Sequence, residues 1–224
     1  MEAKLKVPES LNEISLKQYQ EFLKLDEELN EDFLNQKLIE IFCGVKLSHV
    51  LLISIADVRR ITDDLKQLLQ QQPKHVNTFK VKGQEFGMIP NLEEMSFGEY
   101  VDLDTYISDW ETMHKAMAVL YRPIKTKIKD QYELVEYSGA SEFSDLMQYM
   151  PLSVVFGAMV FFYDLGNELL KATQSYLTQE LVEMSTTMEA NSLKNTDGII
   201  QYMHSQKEIL KDLIELLNME YDNA

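Results

Sequence analysis

The chain has 224 residues, 45% of them hydrophobic, a formal charge of −16 at pH 7 and a single cysteine, Cys43. This apolar content excludes a mainly disordered chain, and the acidic surplus argues against nucleic acid as a direct partner, because phosphate binding draws on clustered Lys and Arg. One thiol cannot make an internal disulfide, the N-terminal MEAKLKVPESLNE lacks the apolar run of a signal peptide, and the most apolar stretch, Val154 to Tyr163, falls short of the roughly 20 residues that cross a bilayer, so a cytosolic protein without membrane contact is expected.

Ser15 with Gln18 three positions on is a capping box, opening a helix through about Leu25 with Leu16, Tyr19, Phe22 and Leu23 inward. A second helix runs from about Glu31 to Phe42 and stops at Gly44, a residue free to take the left-handed conformation of a helix C-terminus. Ser48 is placed to cap a short turn from His49 to Leu52. Ser54 caps a longer helix, Ile55 to about Gln71, with Asp57 at its third position and Val58, Ile61, Leu65, Leu68 and Leu69 on one face. Pro73 closes this N-terminal helical unit, residues 1–72.

The period then becomes alternating. Phe79 and Val81 lead through a Gly83–Gln84 turn to Phe86 and Met88, a hairpin with Val81 opposite Phe86 and Phe79 opposite Met88. After Pro90 an acidic linker leads into a long helix. Ser96 and Glu99 form a second capping box, flanked by Met95 and Tyr100 as a hydrophobic staple. Tyr100, Leu103, Tyr106, Ile107, Trp110, Met113, Met117 and Leu120 make its apolar stripe, and Arg122–Pro123 end it, since the residue before proline is pushed out of helical geometry. Ile124, Thr126 and Ile128 then oppose Tyr132 and Leu134 across a Lys129–Asp130–Gln131 loop, with Lys127 facing Glu133. Residues 73–140 thus read as two hairpins flanking a central helix, paired into a small sheet beneath it.

Ser138–Gly139 is a turn, and a helix from Glu142 to Tyr149 leads to Pro151, suited to the first position of the next helix. That helix begins wholly apolar (VVFGAMVFFY), hence internal, and becomes amphipathic after Asp164 through Leu169, Leu170, Tyr176, Leu177, Leu181 and Met184. Gly157 and Gly166 allow close helix contact. A break at Asn191 to Gly198 precedes a last helix from Ile199 to about Met219. The expected fold is α+β and predominantly α-helical, its three segments (1–72, 73–140, 141–224) packed together, with long C-terminal helices.

The central helix carries the sharpest charge contrast. Glu93, Glu94, Glu99, Asp102, Asp104, Asp109 and Glu111 lie between Asn91 and Met113 with no Lys or Arg among them. Acids in a first helical turn suit the positive end of the helix dipole, which accounts for Glu99 and Asp102. The acidic run reads either as a solvated face or as one that receives a basic partner, through Glu93, Glu94, Asp102, Asp104 and Asp109. Twelve methionines read either as core filler or as adaptable contact surface.

Catalytic patterns do not assemble. Glu111 and His114 have the spacing of a di-iron bundle, but no second pair exists: His49, His75 and His204 follow Lys46, Gln72 and Gln201 at that spacing. Asp102, Asp104 and Asp109 lack the glycine-centred loop of a calcium hand. Walker, dinucleotide and nucleophile-elbow patterns are absent. The LYRPIKTKIK run reads as a solvated strand face and Cys43, beside Phe42, as a small core residue. Neither an enzyme nor a bound cofactor or metal is expected.

The segments QEFGMIPNLEEMSFGEYVDLDTYISDWETMHKAMAVLYRPI and PLSVVFGAMVFFYDLGNELL resemble small structural-module proteins of tailed bacteriophages. Residues 38–69, LIEIFCGVKLSHVLLISIADVRRITDDLKQLL, are similar to the helical core of phage tail-assembly chaperones, where an apolar helix, a turn with small residues and glycine, a short helix and an Asp-containing helix recur. The hairpins and the long C-terminal helices depart from that pattern. The resemblance implies a non-enzymatic chaperone in the host cytoplasm during infection, binding the tape measure or other tail proteins. The alternative it leaves is a virion structural component of the head, neck or tail, and a third is a host-defence inhibitor. Phage tail or other virion proteins are the implied partners, with homo-oligomerisation left open.

Overall fold

The structure, a computed structural model, describes residues 5–25, 30–129 and 131–165, and single positions at 168, 171, 175 and 176. Helices and a four-stranded antiparallel sheet make an α+β fold. Contacts divide the chain into Met1–Tyr163 and Asp164–Ala224. Nearly all described residues belong to the first unit; in the second, positions 164, 165, 168, 171, 175 and 176 are helical. The expectations for Gly166, Leu169, Leu170, Leu177, Leu181, Met184, the Asn191–Gly198 break and the final helix lie outside the described residues.

Helix α1 (Leu16–Leu23) starts at Ser15, whose hydroxyl accepts the Gln18 N–H while the Gln18 side chain accepts the Ser15 N–H. It stops short of Leu25, and Leu23 is exposed, whereas Leu16 is buried and Tyr19 and Phe22 pack on the core. Helix α2 (Glu31–Cys43) ends at Gly44 in the left-handed region, φ 65°. Helix α3 (Leu47–Val50) begins one residue before Ser48 and has no side-chain cap from its own N-cap, Lys46. Its free donor is satisfied from a distance: the Glu40 carboxylate accepts the Leu47 N–H at 3.1 Å. Helix α4 (Ile55–Leu69) is capped by Ser54 through the Asp57 N–H and buries Ile61, Thr62, Leu65 and Leu68.

Strands β1 (Thr78–Val81), β2 (Gln84–Met88), β3 (Tyr121–Ile128) and β4 (Gln131–Leu134) lie in that order in the sheet. The first hairpin turns on Lys82–Gly83, not Gly83–Gln84, with φ 46° and 85° at the two positions. Two successive positive φ values are what a two-residue type I′ hairpin turn requires. Phe79 therefore pairs with Phe86 and Val81 with Gln84. The partner of Phe79 has moved by two residues, an even shift that leaves the apolar face intact. In the second hairpin an irregularity between Ile124 and Thr126 sets Lys127 opposite Tyr132, not Glu133. The Lys127 ammonium instead reaches Glu85 on β2, Nζ to Oε1 2.5 Å. The Tyr132 ring lies over Gly87, where an added Cβ would come within 2.5 Å of it.

The expected central helix is two: α5 (Phe97–Tyr106) and α6 (Met113–Leu120). Side chains in the link take backbone groups that a continuous helix would have used. Asp109 accepts the Glu111 N–H at 2.8 Å, and the Thr112 hydroxyl donates to the Tyr106 carbonyl at 3.0 Å. From α1 the buried Gln20 amide donates to the carbonyls of Trp110 (2.6 Å) and Glu111 (3.2 Å). Nor does Arg122–Pro123 end the second helix. The chain passes from Leu120 directly into β3, where Arg122 pairs with Gly87 and Pro123 with Phe86.

A short 3-10 turn (Ala140–Glu142) and helix α7 (Ser144–Met147) replace the single helix expected over Glu142–Tyr149. Pro151 is not the first helical residue. It bridges to Ser15, with Leu16 N–H donating to Met150 and Leu152 N–H to Ile14, and helix α8 (residues 152–163) follows. Only the first part of α8 is fully buried: Leu152, Val154, Val155 and Ala158, whereas Phe156, Met159, Phe161 and Phe162 are partly covered. Gly157 allows a close approach, but to the Lys74 carbonyl in a loop, where a Cβ would stand 2.7 Å away. One core joins residues of all three expected segments, among them Ile39, Leu65, Phe86, Met117, Tyr121 and Val155. Tyr19 meets Trp110 and Phe156 edge-on at 4.9 and 5.2 Å between ring centroids, a geometry that suits the aromatic quadrupole.

Candidate functional site

Helix α5 is oriented by polar contacts. Ser96 accepts the Glu99 N–H at 3.3 Å, and Glu99 Oε2 accepts the Ser96 N–H at 2.7 Å. The other oxygen of Glu99 pairs with Arg122 Nη2 on β3 at 3.0 Å, and both side chains are largely removed from water, 7% and 13% exposed. One helical turn on, the Tyr137 hydroxyl donates to the Asp102 carboxylate. Burial, and then that carboxylate, push the Tyr137 pKa well above its ordinary value, so the hydroxyl remains a donor. The Arg122 guanidinium also stands 5.8 Å from the centre of the Tyr137 ring.

With Glu99 and Asp102 turned inward, the opposite side of the helix must face solvent. It carries Phe97, Tyr100 and Val101, which are 82%, 59% and 42% exposed. Their spacing continues to Asp104, also exposed. Glu99 is the only buried residue of α5, while Leu103 and Tyr106 pack half-buried against the core. The helix thus shows water a row of apolar groups and buries an acid.

The five acids singled out in the sequence are not brought to one face. Glu93 and Glu94 are exposed in a 3-10 turn (Leu92–Glu94) immediately before α5, where Asn91 accepts the Glu93 N–H and donates to Glu94. Asp104 is exposed on the apolar row. Asp102 faces Tyr137, and Asp109 serves the link between α5 and α6. The sequence reading placed Tyr100 inward and did not single out Phe97 or Val101. The signal was present: Phe97, Tyr100 and Val101 form a second helical row beside the Tyr100–Leu103–Tyr106–Ile107 row.

A second exposed apolar corner, Leu51, Leu52 and Ile55 (64%, 83% and 73%), lies between α3 and α4. It borders a groove of about 620 Å³ lined by residues of both charges, including Glu31, Asp32, Arg59 and Lys66. Most of the described methionines supply core: Met88, Met113, Met117, Met147 and Met150 are buried. Glu111 and His114 do not converge. Glu111 is exposed beside Lys24 at 3.5 Å, and His114 Nδ1 stands 3.2 Å from the Gln20 amide nitrogen, with burial lowering its pKa. Among the described residues no group of His, Cys, Asp or Glu could hold a metal ion. Burial pushes the Cys43 thiol up to about 11, which leaves little of the nucleophilic thiolate at neutral pH.

No described helix is long and apolar enough to cross a membrane. Comparison with family models, with curated proteins and with solved structures found no match to the chain.

Proposed function

We propose that the protein is a non-enzymatic, tailed-phage chaperone that holds a tail protein such as the tape measure until assembly, with α5 as its contact surface. The observation that carries this reading is the outward turn of Phe97, Tyr100 and Val101 on a helix fixed from behind by Glu99 and Asp102. A long client rich in apolar helix aggregates before assembly, so its holder needs apolar contact together with solubilising charge. The exposed row supplies the first and the net charge of −16 the second. With the described methionines mostly in the core, the contact falls to the aromatic side chains of α5.

The alternative is a virion component of the head, neck or tail. The separate Leu51–Leu52–Ile55 corner favours it, because a subunit built into a particle meets more than one neighbour. Quantitative mass spectrometry of purified virions of the encoding phage separates the two. Absence from the particle supports the chaperone, and stoichiometric presence supports the structural part. In a co-expression pull-down the wild-type chain should retain a tail protein; if it retains none, the chaperone reading fails.

A further inference from the structure

We infer that the α5 surface takes a basic amphipathic helix, gripped by Phe97 and Tyr100 and steered by Glu93, Glu94 and Asp104. The inference rests on the client-binding reading and names the chemistry of the segment bound. Phe97 and Val101 stand four apart and Phe97 and Tyr100 three apart, the two spacings that build ridges on a helix, and helices pack by seating such ridges in the grooves of another helix. An extended peptide has no comparable purchase, because strand addition needs the unpaired main chain of a sheet edge, and α5 is a helix, not a strand.

Charge chooses the sign of the partner. Between Asn91 and Met113 there is no Lys or Arg, and exposed Glu93, Glu94 and Asp104 flank the apolar row at its start and along it. Basic flanks on the incoming helix meet these acids, while acidic flanks are repelled. The Leu51–Leu52–Ile55 corner lies among charges of both signs and makes no such choice. Preorganisation is the third element. The Glu99–Arg122 and Tyr137–Asp102 contacts fix the rotation of α5, so its apolar row is already presented before a partner arrives.

The test uses the full chain and a labelled Leu/Lys amphipathic peptide of about 18 residues, long enough to be helical, followed by fluorescence anisotropy. Phe97→Ala with Tyr100→Ala should weaken binding roughly 10-fold or more at both low and high salt, because the anchors are apolar and aromatic. Reversing Glu93, Glu94 and Asp104 to Lys should weaken it about as much at low salt and much less at high salt, where exposed charges are screened. Reversing the exposed Asp63 and Asp64 on α4 should have little effect, and a Leu/Glu peptide with the same apolar stripe should bind far more weakly. Should the double alanine variant fail to fold, Val101→Arg must give the same loss through like charge. The proposal is overturned if a folded anchor variant binds as wild type does, or if reversal at Asp63 and Asp64 is as damaging as reversal beside α5. Binding of the peptide as described without capture of any tail protein would leave the surface standing and remove the chaperone role. Capture of tail proteins by the anchor variant as by wild type would do the opposite.

Discussion

Helices α5 and α6 follow one another, are both rich in apolar residues, and read in the sequence as a single helix, yet they are placed in opposite ways. Helix α6 buries Met113, Ala116, Met117, Ala118, Val119 and Leu120, whereas α5 buries Glu99 alone. Apolar content therefore does not decide which face of a helix is covered. For α6 the decision comes from position: it runs directly into β3, and its apolar residues meet the core on almost every side. For α5 it comes from the Glu99–Arg122 pair and the Asp102–Tyr137 bond, which turn two acids inward and Phe97, Tyr100 and Val101 outward.

The most severe way to break this contrast is Arg122→Ala. It strands Glu99 in a buried position without its counter-charge, a loss expected to cost about 3–5 kcal/mol. Urea unfolding measures it; a midpoint close to wild type would mean that Glu99 is hydrated and that the pair does not orient α5. Leu120→Ala empties a fully buried site at the end of α6 and should cost about 2–5 kcal/mol. Thermal unfolding with an unchanged midpoint would place Leu120 outside the core. Ser96→Ala removes one half of the capping box and should cost about 0.5–2 kcal/mol. Helical content and urea midpoint both unaltered would count against the observed start of α5. The smallest effect is expected for Phe97→Ala, within about 0.5 kcal/mol of wild type, because the ring is already in water. If that substitution destabilises as much as Leu120→Ala does, the two helices do not differ as described.

The parts legible in the sequence are those settled within a few residues. The Ser15–Gln18 and Ser96–Glu99 capping boxes, the Ser54–Asp57 cap and the left-handed Gly44 each involve backbone groups no more than a turn away. The alternating pattern also located both hairpins and the face of Phe79, Val81, Phe86 and Met88. Pair register failed because Lys82 accepts a positive φ that glycine supplies more readily, and because an irregularity in β3 moves Lys127 from Glu133 to Tyr132. For the candidate site, Glu93, Glu94 and Asp104 were legible as exposed acids. Phe97 and Val101 were not singled out, because the alternative stripe through Leu103 and Tyr106 is equally helical in period.

The sequence by itself determined where α1, α2, α4 and α5 begin, where the chain changes from helical to alternating period, and that the stretch from Asn91 to Met113 carries acid without base. Tertiary structure decided how the break between α5 and α6 is held and which way α5 faces. The break is held in part by Gln20, 90 residues from Trp110 along the chain, whose amide takes the Trp110 carbonyl in the link that a continuous helix would have used. The rotation of α5 depends on Arg122 and Tyr137, which lie beyond the helix and reach it only once β3 and the segment after β4 are in place. A cap is a contract between neighbours in sequence, whereas a helix's exposed face is set by distant groups that satisfy its buried charges.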